Sequence, residues 1–167
     1  MTMTHDDCHY YPLAQRAGWI PLAAFLVVPA LIGMIPGALS FALNDSVVSD
    51  IGLDVLPVPG WFFTGLWVVI YGSMGMSVRT LFRQATGNLC VPVAILAAGF
   101  LQSHLFWLTD SLRTTAITDA TGMLLAGTAF WVMRQYSTQA ARWLLPWVIW
   151  MPVTLAIKIA ALSGAFG

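Results

Sequence analysis

Five long apolar runs dominate this chain and leave little material for anything else. A helix that spans a bilayer needs about 20 consecutive, mainly apolar residues. Runs of that kind are expected at about 19–43, 61–81, 89–108, 114–133 and 141–162. Short polar stretches separate them at 44–60, 82–88, 109–113 and 134–139. Charged residues make up only 8% of the 167 positions and the apolar set 59%, whereas a water-covered domain carries about a quarter charged residues. The expectation is an all-α integral membrane bundle of five transmembrane helices over residues 19–167, preceded by a polar tail at 1–18. The first run is too long for a signal-peptide core and has no small-residue cleavage site before the polar loop, so it is read as a permanent helix.

Charge placement gives an orientation. Arg16, Arg79, Arg83, Arg134 and Arg142 fall on the side shared by the N-terminus and the second and fourth loops. Arg113, Lys158, Asp45, Asp50, Asp54 and Asp110 fall on the other. In a plasma-type membrane the cation-rich side is cytoplasmic, which puts the N-terminus inside a multi-pass protein. Seven basic and seven acidic residues give zero formal net charge, so nothing in the balance draws nucleic acid. Cys8 and Cys90 are the only cysteines, and no disulfide framework is expected from them. The tail segment His5-Asp6-Asp7-Cys8-His9 carries ligand-type donors, but it has no second cluster and no metal site is assigned. There is no GxxxxGK, GxSxG, HExxH or CxxC, so no catalytic residue is assigned and the motif-bearing enzyme classes lack support.

Within lipid, helices associate through small residues that let backbones approach. Gly33 with Gly37, Gly65 with Gly72, and Gly122 with Ala126 offer such surfaces. Pro29, Pro36 and Pro152 are tolerated in membrane helices and kink them. Three polar groups at membrane depth carry more information: His104, Asp119 and Lys158, all in the leaflet beneath the long first loop. Either Asp119 and Lys158 pair across helices, or Lys158 snorkels to the interface, or the three form the polar floor of a cavity together with Thr154. Aromatic stripes at helical spacing supply walls for such a cavity: Phe63, Trp67 and Tyr71; Phe100, His104 and Trp107; and Trp143, Trp147, Trp150, Thr154 and Lys158. The same stripes serve equally as packing faces. Trp19, Trp61 and Trp143 lie near helix ends, where interfacial tryptophans gather.

The run Trp61-Phe62-Phe63-Thr64-Gly65-Leu66-Trp67-Val68-Val69-Ile70-Tyr71-Gly72-Ser73-Met74-Gly75 resembles the W-x-F-P-x-x-W-x-x-L-Y-x-x-M-G signature of the TspO/MBR family, the tryptophan-rich sensory proteins related to the mitochondrial translocator protein. Leu144-Leu145-Pro146-Trp147-Val148-Ile149-Trp150 is similar to that family's L-x-P-Y-x-x-W, and Trp107 fits its N-x-x-W with His104 in the Asn place. Departures are Thr64 for a proline, Lys158 where an Asn is usual, and only Pro57-Val58-Pro59 left of the family's W-x-P-P. No sterol motif closes the last run. The resemblance implies a five-helix bundle, often a homodimer, with a pocket beneath the first loop for porphyrin, haem or another flat apolar ligand, and no obligatory cofactor. The residues it assigns are Trp61, Phe63, Trp67, Trp107, Trp147 and Trp150, with His104 as a substitution; Tyr71 and Lys158 join them from the stripes.

Three functions therefore compete. A receptor or transporter would hold a macrocycle between aromatic walls, with Lys158 or His104 toward its propionates. A porphyrin-degrading enzyme would react at Trp67 or Trp150, although no acid–base pair is poised for it. A non-catalytic accessory subunit of a membrane complex would use the stripes as partner contacts.

Overall fold

The computed structural model describes residues 19–43, 60–84, 89–105 and 111–164. The polar tail, the first loop, Trp107 and the side chains of Trp19 and Trp61 lie outside the described residues. Within them, every element is α-helical: α1 (Trp19–Leu43), α2 (Gly60–Gln84), α3 (Cys90–Leu105), α4 (Leu112–Tyr136), α5 (Thr138–Trp143) and α6 (Leu145–Leu162).

The first run is helical over the bounds expected. The fourth is longer at both ends because serines cap it. Ser111 Oγ accepts from the Thr114 N–H at 3.2 Å, fixing the start. At the other end the Ser137 N–H donates to the Met133 carbonyl at 2.8 Å. The Ser137 hydroxyl oxygen then accepts from the Ala140 N–H at 3.2 Å and starts α5. The polar stretch 134–139 was expected to be a loop; apart from Ser137 it is helix, since it contains no Gly or Pro to break the chain. The fifth run, expected unbroken from about 141, is interrupted at Leu144. Pro146 has no N–H to offer the Arg142 carbonyl, and the Leu144 N–H turns back to the Ala141 carbonyl at 2.9 Å.

Helix α1 packs mainly on α2, while α4 packs on α6 and α3, and α5 bridges α2 and α4. The α1–α2 seam is set by a proline and a glycine. Pro29 lacks an N–H, so the Phe25 carbonyl one turn earlier has no helical donor. That carbonyl lies so close to Gly75 of α2 that a Cβ there would collide with it. The contact is of the Cα–H···O kind that recurs at helix interfaces. Gly33 likewise makes room for the Tyr71 ring, and Gly72 for Leu26. Gly65, expected to pack as a pair with Gly72, has nothing within 4 Å of where its Cβ would stand. Seven residues drift by only about 20°, so Gly65 shares the face of Gly72, and what it lacks is a neighbour within reach.

Polarity runs from outside to inside. Leu124, Trp131 and Leu101 are 68%, 66% and 66% exposed, while Lys158, Thr115 and Ser77 are fully buried. Two helices, α4 and α6, are long and apolar enough to cross a membrane. Shorter apolar stretches occupy Leu22–Ile35 and Cys90–Leu105. Cys90 is the first residue of α3, and Cys8 lies outside the described residues.

Candidate functional site

Helical spacing brings Phe63, Trp67 and Tyr71 of α2 and Trp147, Thr154 and Lys158 of α6 to the interior. Phe100 and His104 of α3 are half-buried, whereas Trp143 sits on α5 beyond the break and is exposed. On α2, Trp67 stacks on Tyr71 with ring centroids 5.3 Å apart. The Tyr71 ring meets Phe100 edge-on at 5.3 Å and His104 at 6.1 Å, and Phe100 and His104 are 4.7 Å apart. Phe63, a turn nearer the α2 start, lies 6.3 Å from Trp150 of α6. Such separations are the favourable range for aromatic pairs. Trp147 is buried, and its ring lies on α3 where Gly99 has no side chain. A Cβ at Gly99 would overlap the indole.

The polar groups within this interior are mostly tied down. The Tyr71 hydroxyl donates to Ser103 Oγ at 3.1 Å, and Ser103 in turn donates to the Phe100 carbonyl at 2.6 Å. His104 Nδ1 lies 2.7 Å from the Phe100 carbonyl and Nε2 lies 3.4 Å from that of Ile32. The Ile32 carbonyl is the one that Pro36 leaves without a helical donor. A neutral imidazole donates from only one nitrogen, so either the α3 turn or the α1 carbonyl receives the proton. On the other side of the bundle, Lys158 Nζ donates to Asp119 Oδ2 at 2.6 Å, with the two side chains 0% and 5% exposed. Of the alternatives open in the sequence, pairing across helices is the one observed; Lys158 does not snorkel. Thr154, a turn before Lys158, is buried and donates to the Met151 carbonyl at 3.0 Å.

Trp150 differs from the other members. Its indole Nε1–H is enclosed yet has no acceptor. A buried donor without a partner is costly, roughly 1–3 kcal/mol, and calls for an explanation. Gln102 shows the same on the acceptor side: its amide donates to the Thr118 carbonyl at 2.6 Å while Oε1 has no donor. A signal for Gln102 is present in the sequence: Gln102, Ser103 and His104 are consecutive polar residues inside an apolar run, and the aromatic stripe marks only His104.

Of the assigned residues, Trp67, Tyr71 and His104 form one run of ring contacts, Phe63 and Trp150 form another pair, and Lys158 and Asp119 are joined by charge. Trp61 and Trp107 lie outside what can be placed. Two cavities lie away from Trp67, Trp147 and Trp150, and of the described stripe tryptophans Trp143 alone borders one of them. One of about 230 Å³ between α1, α2 and α3 is lined by Val28, Pro29, Met74, Val93 and Phe100 among others. A groove of about 480 Å³ runs along α1 and α2 to the α5–α6 corner. The chain matches no family model, no curated protein and no solved structure.

Proposed function

We propose that the chain is a multi-pass membrane protein of five transmembrane segments, similar in architecture to the TspO/MBR proteins, that binds a tetrapyrrole or a comparable flat ligand among its aromatic side chains. Its N-terminus faces the cytoplasm in a plasma-type membrane. The apolar exterior and the buried charge pair support the membrane part of this reading, because lipid leaves polar groups no partner but each other. The unsatisfied Trp150 indole, 6.3 Å from Phe63, carries the ligand part. A flat ligand stacking on Phe63 would have to displace the atoms that enclose this N–H before its carboxylate could accept from Trp150.

Axial ligation of haem by His104 is not part of the proposal, since both of its ring nitrogens face carbonyl oxygens. Lys158 is likewise held by Asp119 rather than offered to a propionate. Titration of the detergent-purified chain with protoporphyrin and with haem, read by the Soret band and tryptophan fluorescence, tests the proposal. Saturable quenching is expected, weakened about tenfold or more by Trp150→Ala, since stacking on an aromatic contributes roughly 1–3 kcal/mol. His104→Ala should affect haem and protoporphyrin alike, because only iron uses an axial imidazole. Linear, unsaturable quenching in the wild type would overturn the ligand reading. A second reading, a structural subunit whose aromatics merely pack, is favoured by the near-complete burial of Trp67, Tyr71 and Trp147 by this chain's own atoms. It expects lost thermal stability from Trp150→Ala and no saturable binding.

A further inference from the structure

The groove of about 480 Å³ is lined by Leu26, Val27, Ala30, Leu31 and Met34 of α1, Val68, Val69, Ser73 and Met76 of α2, and Trp143 and Pro146 at the corner. Its size lies within the range of small-molecule sites, about 300–1,000 Å³. It opens outward rather than into the core, for Leu31, Val69 and Leu26 are 63%, 55% and 46% exposed. The one hydroxyl in its wall, Ser73 Oγ, already donates to the Ile70 carbonyl at 2.7 Å. Nothing remains along the wall to hold a polar molecule, so the occupant is hydrocarbon. From residue 26 to residue 34 of α1 the groove follows the helix axis for about 12 Å, which suits a chain rather than a disc.

One end of the groove is cationic. Trp143 at the corner is preceded by exposed Arg142. On α2, Arg79 follows the wall residue Met76 by one turn and Arg83 follows by two. Arg79 is half-buried there and Arg83 is exposed, so the first reaches the surface in part and the second in full. At the other end, near Met34 and Val68, the neighbouring positions on α2 bring no charge. An apolar trough with a tryptophan and three arginines at one end matches one class of molecule. We infer that this groove holds an acyl chain of an anionic phospholipid, with the lipid phosphate accepting from Arg79 and drawn by Arg83 and Arg142. The inference rests on the membrane part of the proposed function, but not on the tetrapyrrole part.

Native mass spectrometry of the full chain in mild detergent, with phosphatidylglycerol and phosphatidylcholine of identical acyl chains in competition, tests it. One retained phosphatidylglycerol per chain is expected, favoured about tenfold, in line with about 1 kcal/mol per cation near an anionic headgroup. Val69→Trp, an exposed position that fills the trough, should abolish retention of both lipids. Arg79→Gln should cut the preference several-fold, and Arg79→Gln with Arg83→Gln and Arg142→Gln should bring the two lipids to equal retention, while Arg113→Gln, at the opposite end of the bundle, should leave the preference intact. Equal retention by the wild type overturns the inference, and that competition decides the matter even if Val69→Trp fails to fold. Retention unaffected by a folded Val69→Trp overturns it also, as does a dimer that Val69→Trp splits with lipid retention unchanged, which would make the groove a contact between copies. A chain that stays soluble without detergent overturns both this inference and the membrane reading. Selective lipid retention without porphyrin binding separates the two.

Discussion

The α1–α2 seam and the α4–α6 seam are closed by opposite means. Along α1 and α2 the decisive feature is missing atoms: no N–H on Pro29, no Cβ on Gly75, and a carbonyl of Phe25 in the space between. Along α4 and α6 it is added charge, with Lys158 and Asp119 in contact at 2.6 Å and out of reach of solvent. If both seams face lipid on their outer sides, neither gains from a hydrophobic force between helices. The first then depends on how near two backbones come, and the second on a partner that neither charge can do without. A seam of the first kind should degrade by degrees as atoms are added. One of the second kind should fail at a single substitution and recover when both partners go.

The charge pair is therefore where the largest effect is expected. Lys158→Met leaves the Asp119 carboxylate buried without its cation, and losses of about 3–5 kcal/mol follow such a removal. For a chain of this size that corresponds to a midpoint lower by roughly 6–20 °C. Adding Asp119→Leu should restore most of the loss, and thermal unfolding of the four proteins in one detergent measures the coupling. Additive losses in the double variant would mean that the two residues do not act as a pair, and the contrast between the seams would collapse.

At the other seam the expected loss is smaller and graded. Gly75→Ala puts a methyl into the Phe25 carbonyl, a backbone atom that cannot move without carrying α1 with it. Overpacking of this sort costs about 1–3 kcal/mol. Gly72→Ala comes tightly against Leu26 Cδ1 at 3.0 Å, the end of a flexible side chain, and meets the Leu26 carbonyl only at ordinary contact distance, 3.5 Å, so it should cost distinctly less. Equal losses at Gly72 and Gly75, measured by the same thermal scans, would show that backbone approach does not define the seam.

These two seams were legible in the sequence to different degrees, for physical reasons. Lys158 and Asp119 are rare as charges in apolar runs, and their equal depth on neighbouring spans pointed to pairing. The stripe on α2 likewise predicted that Phe63, Trp67 and Tyr71 share the interior, because a period of 3.6 residues determines which face a residue occupies. Glycine carries no such mark. Gly65 and Gly75 look alike in sequence, yet one faces open space and the other receives a carbonyl; what separates them is the distance to α1, which no spacing encodes. The break at Leu144 was readable from Pro146, but a proline two residues into a helix and a proline that interrupts one obey the same local rule. Gln102 was hidden by its neighbour His104, although its buried amide reaches α4 and its Oε1 does not find a donor.

A third expected effect links the seams through α3. Tyr71 is held on α1 by Gly33 and on α3 by its hydroxyl, which donates to Ser103 at 3.1 Å. Tyr71→Phe removes the hydroxyl and leaves the ring in place. Ser103 keeps its bond to the Phe100 carbonyl, so the loss should stay near the net value of one neutral hydrogen bond, about 1 kcal/mol. A loss as large as that of Lys158→Met would mean that the aromatic cluster, too, depends on a polar contact.

The smallest effect should have the opposite sign, and it lies within one helix. On α4, Gly122 and Gly127 are five residues apart and so point to different sides. A Cβ at Gly122 would stand 2.5 Å from Met151 Cε and 3.0 Å from Gln102 Oε1, whereas at Gly127 nothing lies within 4 Å. Glycine inside a helix costs roughly 0.5–1 kcal/mol relative to alanine through the freedom it loses on folding. Gly127→Ala removes that cost without adding a clash, so a slightly raised unfolding midpoint is expected. Gly122→Ala gains the same propensity but must displace the methionine terminus and crowd an amide oxygen that already lacks a donor, and a net loss is expected. Should Gly127→Ala instead destabilise the chain in lipid bilayers but not in detergent micelles, its open face would be occupied by a neighbouring molecule in the membrane. Missing atoms would then matter on the outside of this bundle as they do between α1 and α2.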